Sequence, residues 1–133
     1  MSSNNANKTT FEYIGSLRIT IHQPVRGYRY GQEAIHLADL CRAKPKDSVA
    51  DLCSGCGVIG LIIAARDKPN RVVLVEIQPE LAGIARMNIA SNDIHNAHVE
   101  VSDYRHFAAS NSGQFDIVVA NPPFTPSGAG RGS

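Results

Sequence analysis

Asn121-Pro122-Pro123-Phe124 brings together residue types that could hold an amino group. The two prolines withhold two backbone N–H groups and hold φ near −65°, and the residue before each is pushed toward an extended conformation. The turn is therefore stiff, with its carbonyls turned outward. The carbonyl of Pro122 and the amide oxygen of Asn121 offer two acceptors to one planar NH2 group, and the ring of Phe124 can stack on the plane that bears it. A Pro-Pro pair alone would equally serve to end a strand. The turn follows Phe115 to Ala120, an apolar, β-branched run that reads as a buried strand, and the end of a parallel strand is where ligands bind in such sheets.

A second stretch, Asp51-Leu52-Cys53-Ser54-Gly55-Cys56-Gly57-Val58-Ile59-Gly60, gives the turn a context. Gly55-x-Gly57-x-x-Gly60 matches the dinucleotide fingerprint, in which glycines let the backbone approach a ligand. Asp51, just before the glycines, would repel a pyrophosphate but could attract an ammonium through a hydrogen bond or a water. That favours a cationic ligand. Glu76 lies at the end of the next apolar run, where a carboxylate can accept both hydroxyls of a ribose. Asp103-Tyr104, after the third run, could take an adenine amino group and cover the ring edge. A molecule made of amino acid, ribose and adenine suits all three places. Cys53 and Cys56 have the spacing of a redox or zinc pair, but no second pair accompanies them, and His22, His36, His95, His98 and His106 show no ligand spacing. No metal site is expected.

The elements that must position these residues follow from periodicity. Residues 1–10 read as a disordered tail. Residues 11–47 read as an amino-terminal unit: a hairpin of Phe11 to Ile14 and Leu17 to Ile21 around a two-residue Gly15-Ser16 turn, a loop from Pro24 to Tyr30, and a helix from Gln32 to Arg42 with Ile35, Ala38 and Cys41 on one face. Tyr28, Arg29 and Tyr30 suit either base stacking or packing over that loop. From residue 48 to 133 short apolar runs alternate with helical segments, the pattern of a parallel α/β sheet. Strands are expected at Val49 to Leu52, Arg71 to Glu76, Ala97 to Val101 and Phe115 to Ala120, with helices at Val58 to Arg66 and Pro79 to Ala90. A reversal after the third strand gives the order 3-2-1-4, the first part of a Rossmann-like, doubly wound sheet.

The composition is that of one globular domain, with 43% hydrophobic and 19% charged residues. No apolar run is long enough to span a bilayer, and the polar amino terminus lacks a signal sequence, so the chain reads as cytoplasmic. Its three cysteines suit reduced thiols better than a disulfide framework. A net charge of +1 excludes a nucleic-acid footprint built on bulk charge. The positive excess is concentrated in residues 1–50.

The glycine loop with Asp51, Glu76 and Asp103-Tyr104 resembles the class I S-adenosylmethionine-dependent methyltransferases, with Cys53 standing where glycine is common. The Asn-Pro-Pro-Phe turn resembles the subset that methylates planar amino groups. Arg18-Ile19-Thr20-Ile21-His22-Gln23-Pro24, Gly27-Tyr28-Arg29-Tyr30 and Ala38-Asp39 are similar to the amino-terminal region of bacterial tRNA adenine-N6 methyltransferases acting on valine tRNA. The resemblance implies that Asp51, Gly55, Gly57, Glu76, Asp103 and Tyr104 contact S-adenosyl-L-methionine and that Asn121, Pro122 and Phe124 hold the target base. It also implies an N-terminal fragment, because such enzymes continue further. The chemistry implied is in-line methyl transfer to an amino nitrogen of tRNA. Protein glutamine, guanine and DNA adenine present the same planar NH2 group and stay open as substrates. From other classes, an NAD-dependent oxidoreductase would use the glycines and Glu76 but leave Asp51 and the turn without a role, and an inactive cofactor-binding module is the third reading.

Overall fold

The computed structural model describes residues 8–26 and 29–122, and these form ten elements. They are β1 (Thr9–Ile14), β2 (Ile19–Pro24), α1 (Gln32–Leu40), β3 (Ser48–Leu52), α2 (Val58–Asp67), β4 (Arg71–Glu76), α3 (Pro79–Ser91), β5 (Ala97–Val101), α4 (Tyr104–Ser110) and β6 (Ile117–Ala120). Four strands pair in parallel in the order β5-β4-β3-β6, which is the expected 3-2-1-4 arrangement of an α/β, Rossmann-like sheet. The remaining two form the amino-terminal antiparallel hairpin.

Alternation along the strands sorts the core into two faces. Val49, Val72 and Leu74 pack with Leu61 and Ile63 of α2, Ala85 of α3 and Ile19 and Ile21 of the hairpin. Ala50, Leu52, Val73 and Val75 face the other way, against Phe107 of α4. The central strands are buried on both faces, which is why they read as continuous apolar runs rather than as alternating ones. Among the described residues no helix is long and apolar enough to cross a membrane.

Several boundaries differ from the sequence reading. The hairpin loop has four residues, Gly15 to Arg18, with Leu17 N donating to Ile14 O (3.1 Å) and Arg18 N to Gly15 O (3.3 Å). Positive φ falls on Arg18 rather than on Gly15, as a loop built around a type I turn requires. β1 begins at Thr9, inside the expected tail, and β2 runs on to Pro24, where a loop was expected. α1 stops at Leu40, two residues short, and Arg66 donates to the carbonyls of Ala38 and Cys41 at its end. β6 begins at Ile117, because Asp116 leaves the strand to exchange hydrogen bonds with the backbone of Ser48. α4 was not foreseen at all. Asp103 caps it by accepting from Arg105 N (2.8 Å).

The hairpin is held to the sheet domain by two asparagines of α3. Asn88 accepts from His22 N (2.8 Å) and donates to His22 O (3.0 Å), while Asn92 accepts from Thr20 N (2.8 Å) and donates to Thr20 O (2.8 Å). Residues four apart on a helix are separated by roughly 6 Å and alternate residues on a strand by roughly 6.8 Å, so two amides one turn apart meet two backbone sites of β2. The helix thus completes the hydrogen bonding of a strand edge. Arg29 and Tyr30 serve the same unit: Arg29 donates to Thr10 Oγ1 and Pro24 O, and the Tyr30 hydroxyl donates to Glu12 (2.6 Å). Tyr28 lies outside the described residues.

Asn92→Ala leaves the N–H and C=O of Thr20 without partners and should destabilise the fold by about 1–3 kcal/mol. Asn92→Asp keeps the acceptor but turns a carboxylate toward the carbonyls of Thr20 and Asn88, and should cost at least as much at neutral pH. Urea denaturation checks both. An alanine variant as stable as the wild type would show that this edge needs no partner.

Candidate functional site

The loop between β3 and α2 has positive φ at Cys53 (58°), Gly55 (59°) and Gly57 (96°). A Cβ on Gly57 would lie 3.1 Å from Leu74 Cδ1 and 3.3 Å from Leu61 Cδ1, a tight fit added to a φ that already strains any side chain. Cys53 adopts a left-handed conformation that glycine adopts without strain. Ser54 N donates to Val75 O (2.9 Å) and Gly57 N to Ser54 O (2.8 Å), which folds the loop back across the end of β4.

Gly60, the last of the three glycines, has a different use. A Cβ there would lie 2.1 Å from Leu74 Cδ2 and 3.1 Å from Asp51 Oδ2, so the helix can reach the strands only without a side chain at this position. Asp51 Oδ2 accepts from Gly60 N (2.9 Å) and caps α2, whose own N-cap residue, Gly57, has no side chain to do so. Asp51 is 1% exposed. Its other oxygen, Oδ1, and the hydroxyl of Ser54 are buried with no hydrogen-bond partner within the protein. Burial raises the Asp51 pKa to about 7 against the lowering effect of the Gly60 N–H, and the nearby Glu76 raises it further.

Glu76 closes the loop from the neighbouring strand. Its Oε1 accepts from Gly55 N (2.7 Å) and its Oε2 from Gln78 N (2.9 Å), so one carboxylate fixes the glycine loop and the entry to α3. One lone pair on each oxygen is left for a ligand.

A cavity of about 290 Å³ opens over the end of β4. Cys53, Gly55 and Glu76 form one wall, Val75, Ile77 and Leu81 supply apolar surface, and Ser102, Asp103, Tyr104 and Arg105 form the far side. The structure therefore brings Gly55, Glu76, Asp103 and Tyr104 to one cavity. Asp51 does not line it but sits beneath the loop. Gly57 shapes the loop from the helix side. Arg105 donates to both oxygens of Asp103 and, with its backbone N–H, holds that carboxyl down at about 2.

Asn121 and Pro122 lie apart from this cavity. Leu52 pairs with Ala120, so the register sets Asn121 level with Cys53, on the opposite side of β3 from Glu76. Asn121 is half-buried and Pro122 exposed, and Phe124 lies outside the described residues. Arg105, Gln78 and Ser102 were missed by the sequence reading. An Asp at the start of a helical turn was the available signal for Arg105. Gln78 acts through its backbone and leaves no trace in side-chain type.

Residues 34–131 match the model of the methyltransferase small domain. A release factor glutamine methyltransferase of Bifidobacterium longum is 36% identical over 86 residues, covering 59% of this chain and 29% of that protein. A tRNA1(Val) (adenine(37)-N6)-methyltransferase of Haemophilus influenzae is 30% identical over 111 residues, covering 81% of this chain and 47% of that protein. The chain thus spans less than half the length of these relatives. A crystal structure of M. jannaschii TYW2 in complex with AdoMet superposes with a TM-score of 0.63 at 18% identity, over 79% of this chain and 47% of that one.

The titration of Asp51 gives a test of this site. An acid whose pKa is raised on folding from 3.8 to about 7 binds more protons in the native state between those values. Its contribution therefore favours the native state at low pH and is lost as pH rises through about 7. From about pH 5 to about pH 8 the wild type should lose on the order of 3 kcal/mol more than Asp51→Asn, measured by urea denaturation. Parallel pH profiles for the two proteins would place the Asp51 pKa in the ordinary range.

Proposed function

The chain belongs to the methyltransferase small domain family, and from that premise we propose that it binds S-adenosyl-L-methionine over β4 and contributes to methyl transfer onto an exocyclic amino group, foremost adenine N6 of tRNA. Glu76 carries this reading: a buried carboxylate on a cavity wall, held by two backbone N–H groups and with an acceptor site left on each oxygen for a ribose diol. The donor set fits the rest of the ligand. Asp51 Oδ1 and Ser54 Oγ are orphaned beneath the loop where an ammonium and its hydration would be held, and the Asp103-Tyr104 side offers an acceptor and a ring for adenine.

When bound, the cofactor supplies an electrophilic methyl group on a sulfonium. The rest is done by the chain. Asn121 and Pro122 offer acceptors to the two N–H bonds of the target group, which draws its nitrogen toward tetrahedral geometry, localises the lone pair and stabilises the growing positive charge. Phe124 is assigned to stack the base once it has left its neighbours. Neither a metal nor a strong base is needed for this step. With a tRNA substrate the protein would act in the cytoplasm.

The identity to a glutamine methyltransferase supports a second substrate, since a side-chain amide presents the same planar NH2 group; guanine and DNA adenine belong to the same chemistry. An NAD-dependent oxidoreductase remains disfavoured, because Asp51 beneath the loop would oppose a pyrophosphate. An inactive cofactor-binding module would hold the cofactor without turnover.

Glu76→Ala should weaken binding of S-adenosylhomocysteine about tenfold or more, read by calorimetry, because it loses two charge-assisted acceptors and frees the loop. Unchanged affinity would refute the assignment. In an enzyme containing this segment, Asn121→Ala should leave that affinity nearly intact while single-turnover methyl transfer to unmodified tRNA slows by roughly two to three powers of ten. Transfer at the wild-type rate would sink the role of the turn, and lost cofactor binding would move Asn121 into the cofactor pocket.

A further inference from the structure

The hairpin carries chemistry on its outer face that the cavity does not use. Ile19, Ile21 and Gln23 of β2 are buried, so the alternate residues Thr20 and His22 face away from the core. The register sets Tyr13 opposite Thr20 and Phe11 opposite His22. Phe11 and Tyr13 are 66% and 60% exposed, about 7 Å apart along the strand, and the Phe11 ring lies 5.7 Å from that of His22. Two large rings side by side on an outer strand face do nothing for the core.

Cations bracket these rings. Val25 N donates to Lys8 O, which keeps Arg26 at the open end of the hairpin, and Arg18 stands at its turn. Both arginines are exposed, and neither is in an ion pair with a carboxylate among the described residues. The only acid in this segment, Glu12, alternates onto the opposite face and receives the Tyr30 hydroxyl. An exposed pair of rings between cations complements an anionic strand whose bases are free to stack.

We infer that the outer face of the hairpin, Phe11, Tyr13 and His22 between Arg18 and Arg26, is a docking surface for unpaired RNA that presents the substrate strand to the methyl-transfer site. The inference rests on the nucleic-acid reading above. It is favoured over a duplex because paired bases hide the faces that the rings would meet. The position is fixed as well: Asn88 holds both backbone groups of His22 and also donates to Cys56 O (2.9 Å) in the glycine loop, so RNA seated on this face lies at a set distance from the cofactor loop.

The test measures fluorescence anisotropy of a labelled anticodon stem-loop of unmodified valine tRNA against the whole chain, with S-adenosylhomocysteine binding and melting temperature recorded for each variant. Phe11→Ala and Tyr13→Ala should each weaken RNA binding about tenfold, and Tyr13→Phe should restore it, with cofactor affinity and melting temperature unchanged. Arg18→Gln and Arg26→Gln should each take about 0.7 from the slope of log affinity against log salt. RNA binding that ignores all four losses overturns the docking surface and leaves the methyltransferase reading standing. Failure of the wild type to bind RNA, with S-adenosylhomocysteine still bound, overturns both the surface and the nucleic-acid substrate but not the cofactor site. Hairpin variants that impair methylation of a glutamine-bearing protein instead would assign the face to a protein partner and overturn the RNA inference.

Discussion

The carboxylate of Glu76 is the point on which the site depends. It lies at the end of β4, yet its two acceptor bonds reach Gly55 in the loop after β3 and Gln78 at the entry to α3. The loop must therefore turn a backbone N–H inward, and it does so through left-handed residues at Cys53, Gly55 and Gly57. At Cys53 that conformation costs about 1–2 kcal/mol relative to a right-handed one. A buried, charge-assisted acceptor bond is worth about 1.5–3 kcal/mol, enough to offset the strain.

The same loop explains why an acid is buried beneath it. α2 is apolar from Val58 to Ala64 and buried over that span, and its N-cap is Gly57, where a φ of 96° disfavours a capping side chain. The free N–H groups of its first turn need an acceptor from elsewhere. β3 supplies one, because alternation turns Asp51 toward the helix face and the missing Cβ of Gly60 lets the two approach. Desolvation opposes the arrangement and raises the Asp51 pKa. A cationic group near the orphaned Oδ1 would favour the ionised form.

How much of this was legible in the sequence depended on the range of the interaction. β4 and β5 were read with the bounds observed, and the strand order followed, because runs buried on both faces leave a continuous apolar signal. α4 left almost none: it has seven residues, and Phe107 is its buried one. Asn88 and Asn92 read as ordinary polar positions on a helix, although their spacing of four was the available sign that they act together. The role of Asp51 as a cap was hidden for another reason. Its partner is a backbone N–H nine residues on, which no residue type records. The carboxylates lining the cavity were legible because charge at the end of an apolar strand is costly unless something meets it.

Asn88 joins what would otherwise be two separate parts. A single amide, 0% exposed, takes the backbone of His22 on the hairpin and the carbonyl of Cys56 in the glycine loop. Displacing the hairpin from α3 would leave buried donors and acceptors unpaired on both sides, at about 1–3 kcal/mol each, whereas moving loop, helix and hairpin together breaks none of these bonds. The hairpin is therefore part of the wall of the domain rather than an appendage. Whatever binds its outer face is referred through two hydrogen-bonded residues to the loop that shapes the cavity, and in-line transfer between two ligands needs that kind of fixed relation.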